Sequence, residues 1–253
     1  MKVGWITDRP NYVGGAEITQ RAFRQCAPER IEFTACPPGG VVPELDVYLA
    51  HNVVEYELAD LERIGGRPVV WYHHDLSPWI APEVRGWLDE RARHIFCSPL
   101  QADNYVSKLA GHDLIPPAMD PSGFRPDVPQ VRSGNVSIAQ WRGHGKGGQQ
   151  LAAWSARHGD VDVYGTGELV PGGGNLHHRG PLEEHQVAET LWRYERFVFL
   201  PTAIEPFGRC VAEAWAAGCN LTVNGNVGAL HWIREDPGKL DTAGRDYWEA
   251  VTA

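Results

Sequence analysis

Glu205 and Glu213 stand eight positions apart in the run Glu205-Pro206-Phe207-Gly208-Arg209-Cys210-Val211-Ala212-Glu213-Ala214-Trp215-Ala216-Ala217-Gly218, directly after the apolar stretch Phe197 to Leu200. If a helix begins near Gly208, Glu205 lies in the loop at its positive end and Glu213 a turn or more inside. Free backbone N–H groups at a helix start suit an anionic or hydroxyl-rich ligand, and a carboxylate inside the helix can accept a pair of ribose hydroxyls. The same spacing also fits an ordinary amphipathic helix with a solvated Glu213. A second group, Arg142 and Lys146, stands among Gly143, Gly145, Gly147 and Gly148. Two fixed cations stabilise the charge that develops on a diphosphate leaving group, most strongly where water is excluded. Either cation alone fits a solvated basic loop.

The first of these runs resembles the E-x7-E motif of the retaining GT-B glycosyltransferases of the large family four, E-P-F-G-x-x-x-x-E-A-x-A-x-G. The resemblance extends along nearly the whole chain. Gly14-Gly15-Ala16-Glu17 is similar to the family's G-G-A-E loop, which touches the donor diphosphate. Ile115-Pro116-Pro117-Ala118-Met119-Asp120 with Phe124-Arg125-Pro126 resembles its I-P-N-G-V-D…F-x-P linker, Pro117 and Ala118 replacing asparagine and glycine. Ala139-Gln140-Trp141-Arg142-Gly143-His144-Gly145-Lys146-Gly147 is similar to the G-R…K-G signature, with Ala139-Gln140-Trp141 in place of the common V-G, and Val163-Tyr164-Gly165-Thr166-Gly167 to the later G-x-G turn. Trp71-Tyr72-His73-His74-Asp75 falls where the family often has a histidine before aspartate near the sugar ring, and His74 matches that position best. A histidine there could bond a sugar hydroxyl; a zinc ligand and a structural histidine are the other readings. His51 and His73 match less well.

The resemblance implies a GT-B α/β fold, two Rossmann-like domains with parallel sheets facing across a cleft. It implies catalytic roles for Glu205, His74, Arg142 and Lys146. Glu213 would hold the donor ribose, Arg142 and Lys146 the diphosphate, and Glu205 with the Phe207-Gly208-Arg209 backbone the sugar. Gly14 and Gly15 would close from the first domain, and Gly165 would line the nucleotide. Transfer would be hexosyl, retaining and metal-independent, with Arg142 and Lys146 standing in for the divalent metal that other glycosyltransferases use. The expected donor is a UDP- or GDP-linked sugar and the acceptor a glycan or small-molecule hydroxyl, with no separate cofactor. Two other readings stay open: a phage-type enzyme that glucosylates hydroxymethylated bases in DNA, and a degenerate GT-B protein that binds a nucleotide or glycan without turnover. The departures at Pro117, Ala118 and Gln140 favour the latter, as does Val227-Gly228-Ala229-Leu230, where the family often reads G-G-x-x-E.

The elements that must position these residues read as alternating strands and helices. Strand-like runs at 2–6, 31–35, 46–50, 68–72 and 94–97 are separated by helical patterns at 16–26, 54–63, 82–91 and 99–109, the rhythm of a parallel sheet covered on both faces. The proline-rich stretch 115–133 breaks the pattern. It then restarts with strands 135–139, 161–164, 197–200 and 220–223 and helices 149–158, 183–194 and 208–217. The expected organisation is a first domain over 1–118, a linker over 119–133, a nucleotide-sugar domain over 134–240 and a C-terminal appendage over 241–253, helical from 246. In open α/β sheets ligands lie beyond the carboxyl ends of strands, where these motifs fall.

Composition narrows the classes. Hydrophobic residues form 43% of the chain and charged residues 22%, as in globular proteins. The net charge is -9 and both halves are acidic, which argues against a phosphate-backbone or polybasic membrane module. The five cysteines include no C-x-x-C pair. No apolar run approaches the roughly 20 residues of a membrane span, and Met1-Lys2-Val3-Gly4-Trp5-Ile6 enters a strand without a secretory h-region, so a cytoplasmic protein is expected. Asp103, Asp113 and Asp120 have no carboxylate partner at glycosidase spacing. Trp79 and Trp87 could stack on an acceptor, although with 10 tryptophans core packing is the commoner use.

Overall fold

The computed structural model describes residues 1–8, 15–41, 44–76, 79–109, 111–127, 130–141, 144–167 and 175–253, with His144 described by its backbone alone. The chain divides into two compact units, Met1–Met119 with Gly238–Ala253, and Asp120–Pro237.

The first unit runs β1 (Lys2–Ile6), α1 (Gly15–Gln25), β2 (Glu32–Cys36), β3 (Val47–Ala50), α2 (Leu58–Glu62), β4 (Val69–Tyr72), α3 (Pro82–Arg91), β5 (Ala92–Phe96), α4 (Pro99–Asp103) and β6 (Asp113–Leu114). Its strands form one parallel sheet in the order β2-β1-β3-β4-β5-β6. β3 and β4 read Val-Tyr-Leu-Ala and Val-Val-Trp-Tyr and are buried throughout, as central strands covered on both faces must be. Tyr48, Ala50, Trp71 and Phe96 pack on one core with Val84 and Leu88 of α3. Helices α2 and α4 are shorter than the expected 54–63 and 99–109. At α4, Ser98 accepts from Gln101 N and Pro99 opens the first turn, which fixes the start without extending the helix.

The second unit opens with a 3-10 turn at Pro121–Phe124, inside the stretch read as unstructured linker, and continues with β7 (Asn135–Ile138), a 3-10 turn at His144–Lys146, α5 (Gly148–His158), β8 (Val161–Tyr164), β9 (Leu176–Gly180), α6 (Gln186–Leu191), β10 (Arg196–Phe199), α7 (Arg209–Ala216), β11 (Asn220–Val223) and α8 (Ala229–Glu235). The sheet order is β11-β10-β7-β8-β9, again parallel. Trp192 Nε1 donates to the Phe124 carbonyl at 2.7 Å, tying the 3-10 turn to this unit.

The last helix, α9 (Gly238–Thr252), belongs to the first unit. It is no appendage. Leu240, Ala243, Tyr247, Trp248 and Val251 recur at helical spacing on a buried face. Tyr247 stacks on Phe23 of α1 with ring centroids 3.9 Å apart, and Trp248 Nε1 donates to the Phe23 carbonyl at 2.8 Å. Gly244 permits this approach, since a Cβ there would lie 2.5 Å from Cys26 Sγ. Its glycines and charged first turn hid the helix start from the sequence pattern. Among the described residues no helix is long and apolar enough to cross a membrane. If α9 completes this core, Trp248→Ala lowers stability by about 3–5 kcal/mol in urea unfolding; a loss below about 0.5 kcal/mol, the level of an ordinary surface substitution, would show that the helix merely rests on the surface.

Candidate active site

In the second unit the site grows from two loops at the carboxyl ends of neighbouring strands β7 and β10. The His144–Lys146 turn docks on the loop after β10: the Gly145 carbonyl accepts from Thr202 N at 2.9 Å and from Ala203 N at 3.1 Å. Gly147 follows with φ +77°, and a Cβ at that position would fall 1.9 Å from the Leu200 carbonyl oxygen. With the backbone so placed, Lys146 Nζ donates directly to Glu205 Oε2, both side chains partly exposed.

Glu205 is held from its other side by the loop after β11. Its N–H donates to the Asn226 carbonyl at 2.7 Å, and its carbonyl accepts from Gly228 N at 3.0 Å. Asn224 and Asn226 both donate side-chain amide protons to the Pro201 carbonyl, at 2.8 and 3.0 Å. Gly208, at φ +79°, turns the chain into α7 where a Cβ would lie 2.7 Å from Val227 Cγ1. The Phe207 carbonyl is taken by Ala229 N at 2.7 Å, so of the Phe207-Gly208-Arg209 backbone this oxygen is already in use.

One turn into α7, Arg209 Nε donates to Glu213 Oε1 at 2.7 Å. Glu213 is largely buried rather than solvated. Burial raises its carboxyl above the usual range, and the Arg209 guanidinium partly offsets this. Cys210 lies between the two glutamates; desolvation and then the charges of Glu205 and Glu213 push its thiol well up, so it is an inert neighbour. Gly165 ends β8 at φ +130° against the loop after β7, where a Cβ would lie 1.7 Å from the Ala139 carbonyl oxygen. Trp141, one of the departures from the family pattern, is buried here and donates from Nε1 to the Tyr164 carbonyl at 2.9 Å.

His74 and Gly15 belong to the first unit. Past β4 successive side chains point to opposite faces. His73 stacks on Phe96 in the core, and its Nε2 lies 2.9 Å from His94 Nδ1. His74 turns the other way, with Nε2 3.0 Å from His51 Nδ1. Burial lowers the pKa of His74 to about 3, so it is neutral near pH 7. It lines a pocket of about 70 Å³ with Asn52, Trp71, Asp75 and the outward-facing Trp79. Gly15 opens α1, where its carbonyl accepts from Thr19 Oγ1 at 2.8 Å. Two residues on, the buried Glu17 accepts from Asn52 Nδ2 at 2.7 Å, and burial raises its carboxyl. Asn52 carried no signal in the sequence, and Glu17 was legible only as part of the G-G-A-E resemblance. Gly14 and Arg142 lie outside the described residues. Among the described residues no three His, Cys, Asp or Glu side chains are grouped as a metal ion would require.

No protein-family model matches the chain, and no curated protein matches it. Solved structures do match. HepE from Anabaena, in complex with UDP and glucose, superposes with a TM-score of 0.67 at 14% identity, over 100% of this chain and 95% of HepE. AviGT4, a glycosyltransferase involved in avilamycin A biosynthesis, gives 0.66 at 15% identity over 100% of this chain and 88% of that one. A glycosyltransferase from Rickettsia africae gives 0.61 at 11% identity, over 100% and 89%. At such identities the likeness carries the fold alone, and that fold is GT-B, built from two Rossmann-like α/β units with parallel sheets.

Proposed function

We propose that this chain is a retaining, metal-independent glycosyltransferase, which moves a hexosyl group in the cytoplasm from a UDP- or GDP-linked sugar to a hydroxyl of a glycan or small molecule. The observation that carries the reading is the direct Lys146–Glu205 contact before the start of α7, with the Arg209–Glu213 pair one turn further on. A cation for a diphosphate, a carboxylate for a sugar and a buried carboxylate for a ribose thus share one helix start. The likeness of the fold to HepE, solved with UDP and glucose, supports it. The net charge of -9 favours a neutral acceptor over duplex DNA.

In this reading the bond from the anomeric carbon to the diphosphate breaks with its electron pair on the leaving oxygen. The acceptor oxygen bonds the same carbon from the same face, and its proton passes to the departing phosphate. Lys146 stabilises the charge growing on that phosphate, and Arg142 supplies the second cation. Glu205 orients the Lys146 ammonium and accepts from sugar hydroxyls. Glu213 accepts from the ribose, its carboxylate held in place by Arg209 Nε. In the second unit the Gly165 and Gly208-Arg209 backbones would approach the donor; roles for Gly14, Gly15 and His74 rest on the resemblance alone.

Lys146→Ala lowers kcat by about a hundredfold or more while the protein remains folded; an unchanged rate, or an NMR spectrum showing product of inverted anomeric configuration, contradicts the assignment. Glu213→Gln weakens nucleotide binding by about tenfold to a hundredfold, the loss of one charged hydrogen-bonding group. The same variant is more stable than the wild type at pH 7. Because the Glu213 pKa is raised in the fold, the stability it contributes is fully present below its ordinary value of 4.5 and is lost as pH rises through the raised one. The gain in Tm therefore vanishes below that ordinary value. A glutamine variant less stable at pH 7 would mean that pairing with Arg209 outweighs burial.

A further inference from the structure

His74 ends a hydrogen-bonded chain that starts on α9. Tyr247 Oη lies 3.2 Å from His51 Nε2, and His51 Nδ1 lies 3.0 Å from His74 Nε2. Each contact needs one proton, and Tyr247 sets the direction. Its phenol is fully buried, stacked on Phe23 and edge-on to Tyr72, and among the described residues its hydroxyl has no partner except His51. If His51 donated to Tyr247, the hydroxyl proton would be stranded in apolar packing, which burial penalises. Tyr247 therefore donates to His51 Nε2. A neutral imidazole carries one N–H, so the His51 proton is on Nδ1 and is donated to His74 Nε2; the His74 proton is then on its own Nδ1. Burial keeps both rings neutral near pH 7.

The ring planes are fixed as well. His51 is stacked on Trp5 at 4.9 Å and on Tyr72 at 5.6 Å, so a half-turn of the ring, which would put Cδ2 and Cε1 where the nitrogens now bond, must pass through both contacts. His74 Nδ1 has no hydrogen-bond partner among the described residues, and its ring lines the pocket with Asn52 and Asp75.

We infer that Tyr247 and His51 are positioning residues that fix His74 as its Nδ1–H tautomer, so that His74 offers the pocket a hydrogen-bond donor and no base. Such a donor can hold a hydroxyl or phosphate oxygen and cannot remove the acceptor's proton, which agrees with transfer of that proton to the leaving phosphate. Only the identity of the oxygen rests on the glycosyltransferase reading; the tautomer is a property of the unligated chain.

The test is long-range 1H–15N NMR of histidine-labelled protein at pH 7, with signals assigned by their loss in His51→Phe and His74→Asn. Both rings should be in the Nδ1–H form. Tyr247→Phe, which keeps the ring on Phe23, should convert a measurable fraction of His74 to the Nε2–H form. A wild-type His74 in the Nε2–H form, or a tautomer unmoved by Tyr247→Phe, overturns the inference. In the transfer assay Tyr247→Phe lowers kcat about tenfold, the effect of one hydrogen bond, and leaves the donor KM unchanged. In a His74→Asn background, whose amide N–H stands in for Nδ1–H, the same change has no further effect, and an equal loss in both backgrounds contradicts the chain. The expected tautomers without transfer from any nucleotide sugar would refute the glycosyltransferase reading and leave this one standing.

Discussion

Gly147 occupies a backbone conformation that other residues rarely adopt, at a place where even a methyl group would collide with the Leu200 carbonyl. That close approach lets the turn after β7 dock on the loop after β10, with the Gly145 carbonyl accepting two N–H groups from it. Lys146 meets Glu205 only because the two loops are held in this register. The pair itself is partly exposed and adds little to stability, as surface ion pairs do. Under the proposed function its value is placement before a ligand arrives, the ordering of the charged groups having been done by backbone hydrogen bonds. Asn224 and Asn226 add the third loop to the same clamp through the Pro201 carbonyl.

The first unit solves a different problem, that of keeping polar rings ordered beside a hydrophobic sheet. His73 and His74 are adjacent, yet strand alternation sends one into the aromatic core and the other to the opposite face. Each is bonded to a second histidine, His94 or His51. Buried imidazoles remain neutral when desolvation outweighs any gain from charge, and here the neighbouring rings lower the pKa further. The C-terminal helix is integral to this arrangement, since it contributes both the aromatic packing on α1 and the hydroxyl of Tyr247.

Much of the architecture was legible because β3, β4 and β10 are short apolar runs between helical patterns, and periodicity alone places them. The glycines at 147, 165 and 208 were legible as glycines near a ligand; the structure shows that close backbone packing already requires them. Four features were hidden, one of them the seven-residue α8 at Ala229–Glu235, too short to establish a helical period. β6 has two residues, β9 is His- and Arg-bearing with a bulge, and the start of α9 carries glycines, so none has a clean period. The burial of Glu213 was equally hidden, because its partner Arg209 lies on the same helix face and an i,i+4 pair reads as solvated. The link from Tyr247 to His51 joins positions far apart in sequence, and no local pattern encodes it.

In the proposed function a nucleotide diphosphate sugar binds at the Lys146–Glu205 clamp and the Glu213 carboxylate. Titration calorimetry with UDP, GDP, ADP and their sugar conjugates, in the presence of a chelator, tests it most directly. Selective binding of one base is expected, with a marked loss of that affinity in Lys146→Ala. Absence of binding by every nucleotide, or affinity indifferent to Lys146, would contradict it.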